Sequence, residues 1–142
     1  MLSRFSWPRR ARKSLVLLAV LAACNSAEGP PIADGISAVS GSGQFAVVSS
    51  PAANPLVVLV TDNNGNPFPG ATVSWVVTAG GGTVSDSTST SDATGHASIN
   101  YTAGTFPGTA TITATTALVW TAAFTIYIES SASSNRVTRL LQ

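Results

Sequence analysis

The sequence predicts an all-β protein folded as a sandwich of two packed sheets, and three observations support that fold class. Val, Ile, Thr and Ser dominate the chain after residue 35. Apolar and polar residues alternate along most segments, which gives each strand one face to bury. Clusters of Gly, Pro, Asn and Asp separate these segments at short intervals, as is typical of short strands. About seven strands are therefore expected between residues 36 and 128.

The first half of this region contains the opening strands and one central strand. Residues 36–48 form one or two strands, interrupted at residues 41–43 (GSG). Residues 55–61 (PLVVLVT) are apolar on both faces, which favours a central position in a sheet. Residues 62–70 (DNNGNPFPG) form a loop, because Asn, Asp and Gly favour turns and proline is excluded from paired central strands. Residues 71–78 then alternate as a strand with one buried face.

The second half begins with a flexible break at residues 80–82 (GGG) and continues with four more strands. The first of these strands is polar, so we expect it at a sheet edge. A tight turn at residues 92–95 follows it. The four predicted strands cover residues 83–90, 96–102, 108–116 and 118–128.

Period-two alternation gives each strand one buried face, so two sheets must pack against each other. An eight-stranded up-and-down barrel is the alternative, but the long proline-containing loops favour the crossovers of a sandwich. A single cysteine excludes an internal disulfide. The large side chains expected to point inward are Trp75, Tyr101, Leu118, Trp120 and Phe124.

The N-terminal residues have the pattern of an export signal. Five of the seven basic residues lie in the first 13 positions, and residues 15–23 (LVLLAVLAA) are uniformly apolar. Nine residues rise only about 14 Å as a helix, whereas the hydrocarbon core is roughly 30 Å thick. A basic segment, a short apolar segment and small residues before a cleavage point indicate a secretory signal peptide rather than a membrane span.

The tetrapeptide Leu21-Ala22-Ala23-Cys24 also resembles the lipobox of bacterial lipoproteins. That resemblance implies cleavage between Ala23 and Cys24 and attachment of lipid to the Cys24 thiol. An ordinary cleaved signal followed by an unrelated cysteine is the alternative. Two or three acyl chains would anchor the protein firmly. The resemblance also implies the outer membrane or cell surface rather than the inner membrane, because lipoproteins kept at the inner membrane usually carry Asp directly after the cysteine, where this chain has Asn25.

A second resemblance covers residues 37–128. Residues 58–75 carry the pattern VxVxDxxGNPxPGxxVxW, residues 91–97 carry SDxxGxA, and residues 108–114 read GTATITA. These motifs closely resemble bacterial Ig-like domains of the invasin/intimin type. The resemblance implies a disulfide-free Ig-like β-sandwich that serves as a spacer or an adhesive module.

Four segments follow from these patterns. Residues 1–23 are expected to be the signal peptide, and residues 24–35 the lipidated cysteine with a flexible tether. Residues 36–128 are the expected Ig-like domain, present in one copy without a separate tip domain. Residues 129–142 form a polar tail.

Charge and residue type exclude several function classes. From Cys24 onward the chain has two basic residues, Arg136 and Arg139, against six acidic ones, a net charge of −4. Such a chain cannot neutralise a row of phosphates, so we expect no nucleic-acid binding. The single histidine, His96, lies on the outward face of its strand, and the chain has no Gly-x-Ser-x-Gly motif. The loop after Asp62 lacks the glutamate of a calcium-binding loop, since Val73 occupies that position.

We therefore expect no catalytic residues, no metal and no cofactor. The expected function is that of a non-catalytic, lipid-anchored module of the cell envelope with a structural or protein-interaction role. Its partners would be the membrane, through Cys24, and an envelope protein or a glycan. The alternative is a surface adhesin or carbohydrate-binding module that uses the loop aromatics Phe68 and Phe106. Both lie beside prolines, where they could either contact a ligand or plug the ends of the sandwich.

Overall fold

Ten β-strands form the computed structural model, which describes residues 29–118 and 120–131. The expected signal peptide, the cleavage point at Ala23 and the lipidation site Cys24 lie outside these residues. In chain order the strands are β1 (Ala33–Ser40), β2 (Phe45–Val47), β3 (Leu56–Asp62), β4 (Thr72–Ala79), β5 (Thr83–Val84), β6 (Thr88–Thr90), β7 (His96–Ile99), β8 (Tyr101–Thr102), β9 (Gly108–Thr116) and β10 (Thr121–Glu129).

The strands divide between two layers, as the alternation predicted. One layer is a five-stranded sheet in the order β2-β10-β9-β4-β6, and the other contains the three-stranded sheet β1-β3-β7. A two-stranded ribbon joins β5 to β8. Neighbouring strands pair antiparallel except β2, which runs parallel to β10. The structure is therefore the predicted Ig-like sandwich, and β3 is the predicted central strand.

The core lies between the two layers and is built mainly from alternate residues of β3, β4, β7, β9 and β10. Burial along β9 and β10 follows a strict period of two. The rings of Trp75 and Phe124 lie 5.8 Å apart in a tilted arrangement, which joins β4 to β10 over β9 on the inner face of the five-stranded sheet. Tyr101 is also buried. The inward positions predicted for Trp75, Tyr101 and Phe124 are confirmed.

The inward positions predicted for Leu118 and Trp120 are wrong. Their exposed fractions are 49% and 51%. β9 ends at Thr116 and β10 begins at Thr121, so both residues lie in the connection between the strands. Alternation determines which side chains are buried only while a residue belongs to a paired strand.

The single polar strand predicted for residues 83–90 is also wrong, because two short strands replace it. β5 pairs with β8, whereas β6 pairs with β4 at the edge of the five-stranded sheet. The predicted strand 96–102 is similarly interrupted at Asn100, so that β7 pairs with β3 and β8 with β5. These changes of partner explain why there are ten strands rather than about seven.

Strand pairing also assigns each loop to one end of the sandwich. β1 begins at Ala33, opposite Asp62 at the end of β3. Val73, at the start of β4, lies opposite Thr116 at the end of β9. We call this end the proximal pole; it holds loop 62–70, turn 91–95, Leu118 and Trp120. The opposite end, where β10 finishes at Glu129, is the distal pole; it holds residues 80–82 and 103–107.

Candidate functional site

Three consecutive glycines at the distal pole adopt a backbone that other residues rarely accept. Gly80, Gly81 and Gly82 have φ angles of 78°, 71° and 93°. A Cβ atom at Gly80 would collide with the carbonyl of Thr109, and one at Gly82 would collide with the carbonyl of Thr102. The glycines are therefore required both by backbone conformation and by close approach of neighbouring chain.

The buried side chain of Tyr101 forms a hydrogen bond to this glycine loop from the core. Tyr101 is 1% exposed, and its hydroxyl donates a 2.6 Å hydrogen bond to the carbonyl of Gly81. Burial raises the pKa of Tyr101 above its ordinary value, which disfavours the phenolate and keeps the hydroxyl as a donor. The segment predicted as a flexible break is thus fixed by a specific contact from the core.

The glycine loop forms one wall of an open cleft of about 450 Å³. Residues 80–83 line one side and residues 103–106 the other. A Cβ atom at Gly104 would lie 3.0 Å from the Gly82 nitrogen. The two walls therefore approach each other closely through backbone atoms, with no side chain between them at this point. The side chain of Phe106 stands at the cleft with an exposed fraction of 79%. None of the lining residues carries a charge, which suits the cleft to a neutral ligand.

The second predicted loop aromatic, Phe68, lies at the proximal pole and does not join Phe106. Its side chain is partly buried and packs against the core. Both backbone polar groups of Phe68 are hydrogen-bonded. The Phe68 nitrogen donates a 2.9 Å hydrogen bond to the Val60 carbonyl, and the Phe68 carbonyl accepts a 2.7 Å hydrogen bond from Ser91 Oγ. Phe68 therefore closes one end of the sandwich, while Phe106 projects from the other.

Two aspartates of the proximal pole are engaged in the turns that contain them. Asp62 Oδ1 accepts 2.8 Å hydrogen bonds from the nitrogens of Asn64 and Asn66. Asp92 Oδ1 accepts hydrogen bonds from Thr94 Oγ1 at 2.7 Å and from the His96 nitrogen at 3.0 Å. The loop expected to be a turn rather than a calcium site therefore has the hydrogen bonding of a turn.

These hydrogen bonds also favour the ionised carboxylates. The pKa of Asp62 is lowered chiefly by the backbone N–H of Asn66, and the pKa of Asp92 chiefly by the hydroxyl of Thr94. His96 Nδ1 lies 2.9 Å from the same hydroxyl. Within the described residues, no group of three His, Cys, Asp or Glu side chains could hold a metal ion.

Sequence reasoning singled out Phe106 but missed the other wall of its cleft. The available signal was the glycine triplet, which was interpreted only as a break between strands. Recognising the cleft requires knowing that residues 80–82 and 103–106 meet. They meet because β5, directly after the glycines, pairs with β8, directly before residue 103. Ala23 and Cys24 lie outside the described residues, so their cleavage and lipidation stay predictions.

The fold, the motifs and the absence of an internal disulfide define a bacterial Ig-like β-sandwich domain. A profile for the bacterial Ig-like domain (group 1) matches residues 32–127, more than half of the chain. The protein therefore belongs to the bacterial Ig-like domain (group 1) family.

Solved domains of an S-layer protein share this fold, and an intimin structure is also similar. Domains 4 and 5 of the S-layer protein SbsC match with a TM-score of 0.53 and 19% identity, over 70% of this chain and 46% of that one. SbsC domains 1–6 match with a TM-score of 0.54 and 16% identity, over 72% and 14%. The D0-D1 domain of intimin has a TM-score of 0.49 and 21% identity, over 69% and 49%. The chain thus spans less than two thirds of each of these structures. No curated protein matches it in sequence.

Proposed function

We propose that this protein is a non-catalytic module of the bacterial cell envelope, anchored by lipid on Cys24 and serving a structural or protein-interaction role. The observation that carries this proposal is the polarity of the sandwich. β1 begins at the proximal pole, on the side of Cys24, while the open cleft with Phe106 lies at the distal pole. An anchored protein would therefore direct its cleft away from the membrane.

The short distance along the chain between the cysteine and the first strand limits where a partner can be. Eight residues separate Cys24 from Ala33, and they span at most about 30 Å even when fully extended. The domain would stay close to the bilayer, at the outer membrane or the cell surface. A partner within the envelope fits this reach better than a distant receptor.

Fold similarity and residue chemistry support a role without catalysis. The SbsC domains that share this fold belong to an S-layer protein, which is consistent with export and a structural function. The cleft is lined by glycine, alanine, threonine and phenylalanine, none of which supplies an acid or a base at neutral pH. None of the described residues forms a helix long and apolar enough to cross a bilayer.

Replacing the cysteine tests the anchor directly. Cys24→Ala should abolish labelling by a radioactive or clickable fatty acid and leave the precursor uncleaved. Cys24 is the only cysteine, so labelling of the native chain reports this residue alone. The matched control is Ser26→Ala, which leaves the cysteine intact and should be labelled normally. Continued fractionation of the Cys24→Ala variant as a lipoprotein would refute the proposal.

A second candidate function, carbohydrate binding or adhesion, is favoured by the exposure of Phe106 beside an uncharged cleft. A flat aromatic ring at such a site can stack on the apolar face of a sugar. Peptidoglycan fragments and soluble envelope oligosaccharides should then raise the melting temperature of the processed protein. Phe106→Ala should remove the shift, whereas Phe45→Ala, which truncates another exposed phenylalanine, should leave it. An absence of any shift across both ligand sets would exclude this alternative for those glycans.

A further inference from the structure

The proximal pole exposes large apolar side chains. The exposed fractions of Ile32, Leu118 and Trp120 are 49%, 49% and 51%. Ile32 directly precedes β1, which begins opposite Asp62. The carbonyl of Trp120 accepts a 3.1 Å hydrogen bond from the Thr116 nitrogen, which closes the β9–β10 connection at the same pole.

These residues lie at the end of the domain that a lipid on Cys24 would hold against the bilayer. The chain enters β1 at this pole, and Cys24 lies only eight residues before Ile32. Phe106 lies at the opposite pole, at the far end of strands β9 and β10. A lipid surface reached through this tether therefore meets Leu118 and Trp120 before it meets the cleft.

We propose that the proximal pole rests on the membrane, with Leu118 and Trp120 seated at the boundary between lipid headgroups and acyl chains. Tryptophan suits this boundary because it combines a large apolar body with one hydrogen-bond donor. The tether and the apolar contact act together: the anchor supplies a high local concentration, so a weak contact is enough to orient the domain. This inference rests on the proposed lipid anchor.

Charge decides which lipid surface this pole fits. The described residues include no lysine or arginine, and the proximal pole carries Asp34, Asp62 and Asp92. An anionic surface would be repelled, since the described part of the chain offers no lysine or arginine to pair with its headgroups. The occupant is therefore a zwitterionic lipid surface, contacted through apolar side chains.

The experiment imposes the anchor chemically, so that it does not depend on lipidation in cells. Residues 24–142, the expected processed form, are coupled through Cys24 to a maleimide phospholipid in phosphatidylcholine vesicles. After residue 24 the chain has two tryptophans, and Trp75 is 2% exposed. Emission that changes on contact with lipid therefore reports Trp120. We expect a blue shift, and quenching when the vesicles contain brominated lipid.

Controls separate this contact from other causes. Trp120→Phe should remove the quenched emission, Leu118→Ser should weaken quenching at least twofold, and Phe106→Ser, at the distal pole, should leave it unchanged. Phosphatidylglycerol in the vesicles should reduce quenching. Stronger quenching on phosphatidylglycerol vesicles would overturn the assignment to zwitterionic lipid. A blue shift that instead follows protein concentration without vesicles would identify a second copy of the chain as the occupant and overturn the proposal.

The two proposals fail in different ways. Unquenched Trp120 in the coupled, folded protein would overturn the membrane contact and leave lipidation of Cys24 untouched. Failure of the native chain to take up the fatty acid in cells would overturn the native anchor, whereas quenching in the coupled protein would still measure the affinity of the pole for lipid.

Discussion

The indole nitrogen of Trp75 donates a 2.8 Å hydrogen bond to the hydroxyl of Ser89, which ties the core of the sandwich to its edge. Trp75 lies on β4 and is 2% exposed, while Ser89 lies on the three-residue edge strand β6. The bond satisfies the only polar atom of the largest core side chain. It also supplements the few backbone hydrogen bonds that hold β6 in place.

Removing either partner should therefore be costly. Ser89→Ala leaves the buried indole N–H unpaired and should lower the free energy of unfolding by about 1–3 kcal/mol. Trp75→Ala adds a large cavity and should cost about 3–5 kcal/mol. Chemical denaturation measures both values. In a double-mutant cycle the Ser89→Ala effect should shrink when Trp75 is already Phe; equal effects in both backgrounds would show that the bond contributes nothing.

The hydroxyl of Thr116, unlike the indole N–H of Trp75, is buried without a hydrogen bond to any described residue. The Thr116 side chain is 4% exposed, and its Oγ1 atom has no hydrogen-bond partner within residues 29–118 and 120–131. Thr116→Val replaces the unsatisfied hydroxyl with a methyl group of similar size and should stabilise the protein by about 1–3 kcal/mol. Thr115→Val, on the outward side of the same strand, should change stability by less than about 0.5 kcal/mol. Thermal unfolding compares the two, and a destabilised Thr116→Val variant would contradict this reasoning.

Two glycines of the loop test how much the close approach of neighbouring backbone adds to the cost of a positive φ angle. Both Gly80→Ala and Gly81→Ala place a Cβ atom on a backbone with positive φ, which costs about 1–2 kcal/mol. Only Gly80→Ala also drives that atom into the Thr109 carbonyl, whereas nothing lies within 4 Å at Gly81. Gly80→Ala should therefore destabilise the domain by clearly more than Gly81→Ala. Equal melting temperatures for the two variants would show that the backbone can shift to relieve the contact.

The lowered pKa values of Asp62 and Asp92 predict a loss of stability in acid. A carboxyl whose pKa is lower in the folded state binds protons more readily when unfolded. Its stabilising contribution is therefore complete above the ordinary aspartate pKa of about 3.9. The contribution is lost as the pH falls below that value and passes through the lowered folded pKa.

Melting temperatures measured from pH 6 to pH 2 check this expectation. Asp92→Asn keeps an oxygen acceptor for the turn and removes the titrating group, so its melting temperature should fall less steeply with acid than that of the native protein. Asp86→Asn, which changes an aspartate between β5 and β6, is the control. Identical acid profiles for Asp92→Asn and the native protein would assign the acid sensitivity to other groups.

Alternation along single strands was sufficient to predict most of the core. Trp75, Tyr101 and Phe124 point inward because a strand with one apolar face must bury that face. The same rule failed for Trp120, since this residue lies outside the paired part of β10. It also failed at residues 85–87, where the chain leaves one partner strand for another within three residues. Alternation carries no information about such a change of partner.

The sequence by itself determined the β-sandwich, its central strand, the lack of an internal disulfide and the family motifs, because these depend on local periodicity and residue type. Only the tertiary structure decided that Phe68 and Phe106 lie at opposite poles, that Tyr101 holds the glycine loop, and that residues 80–83 and 103–106 share one cleft. It alone also located exposed Trp120 at the pole where β1 begins. These relationships arise from strand pairing between distant segments, and pairing depends on how two sheets meet rather than on any one segment of the chain.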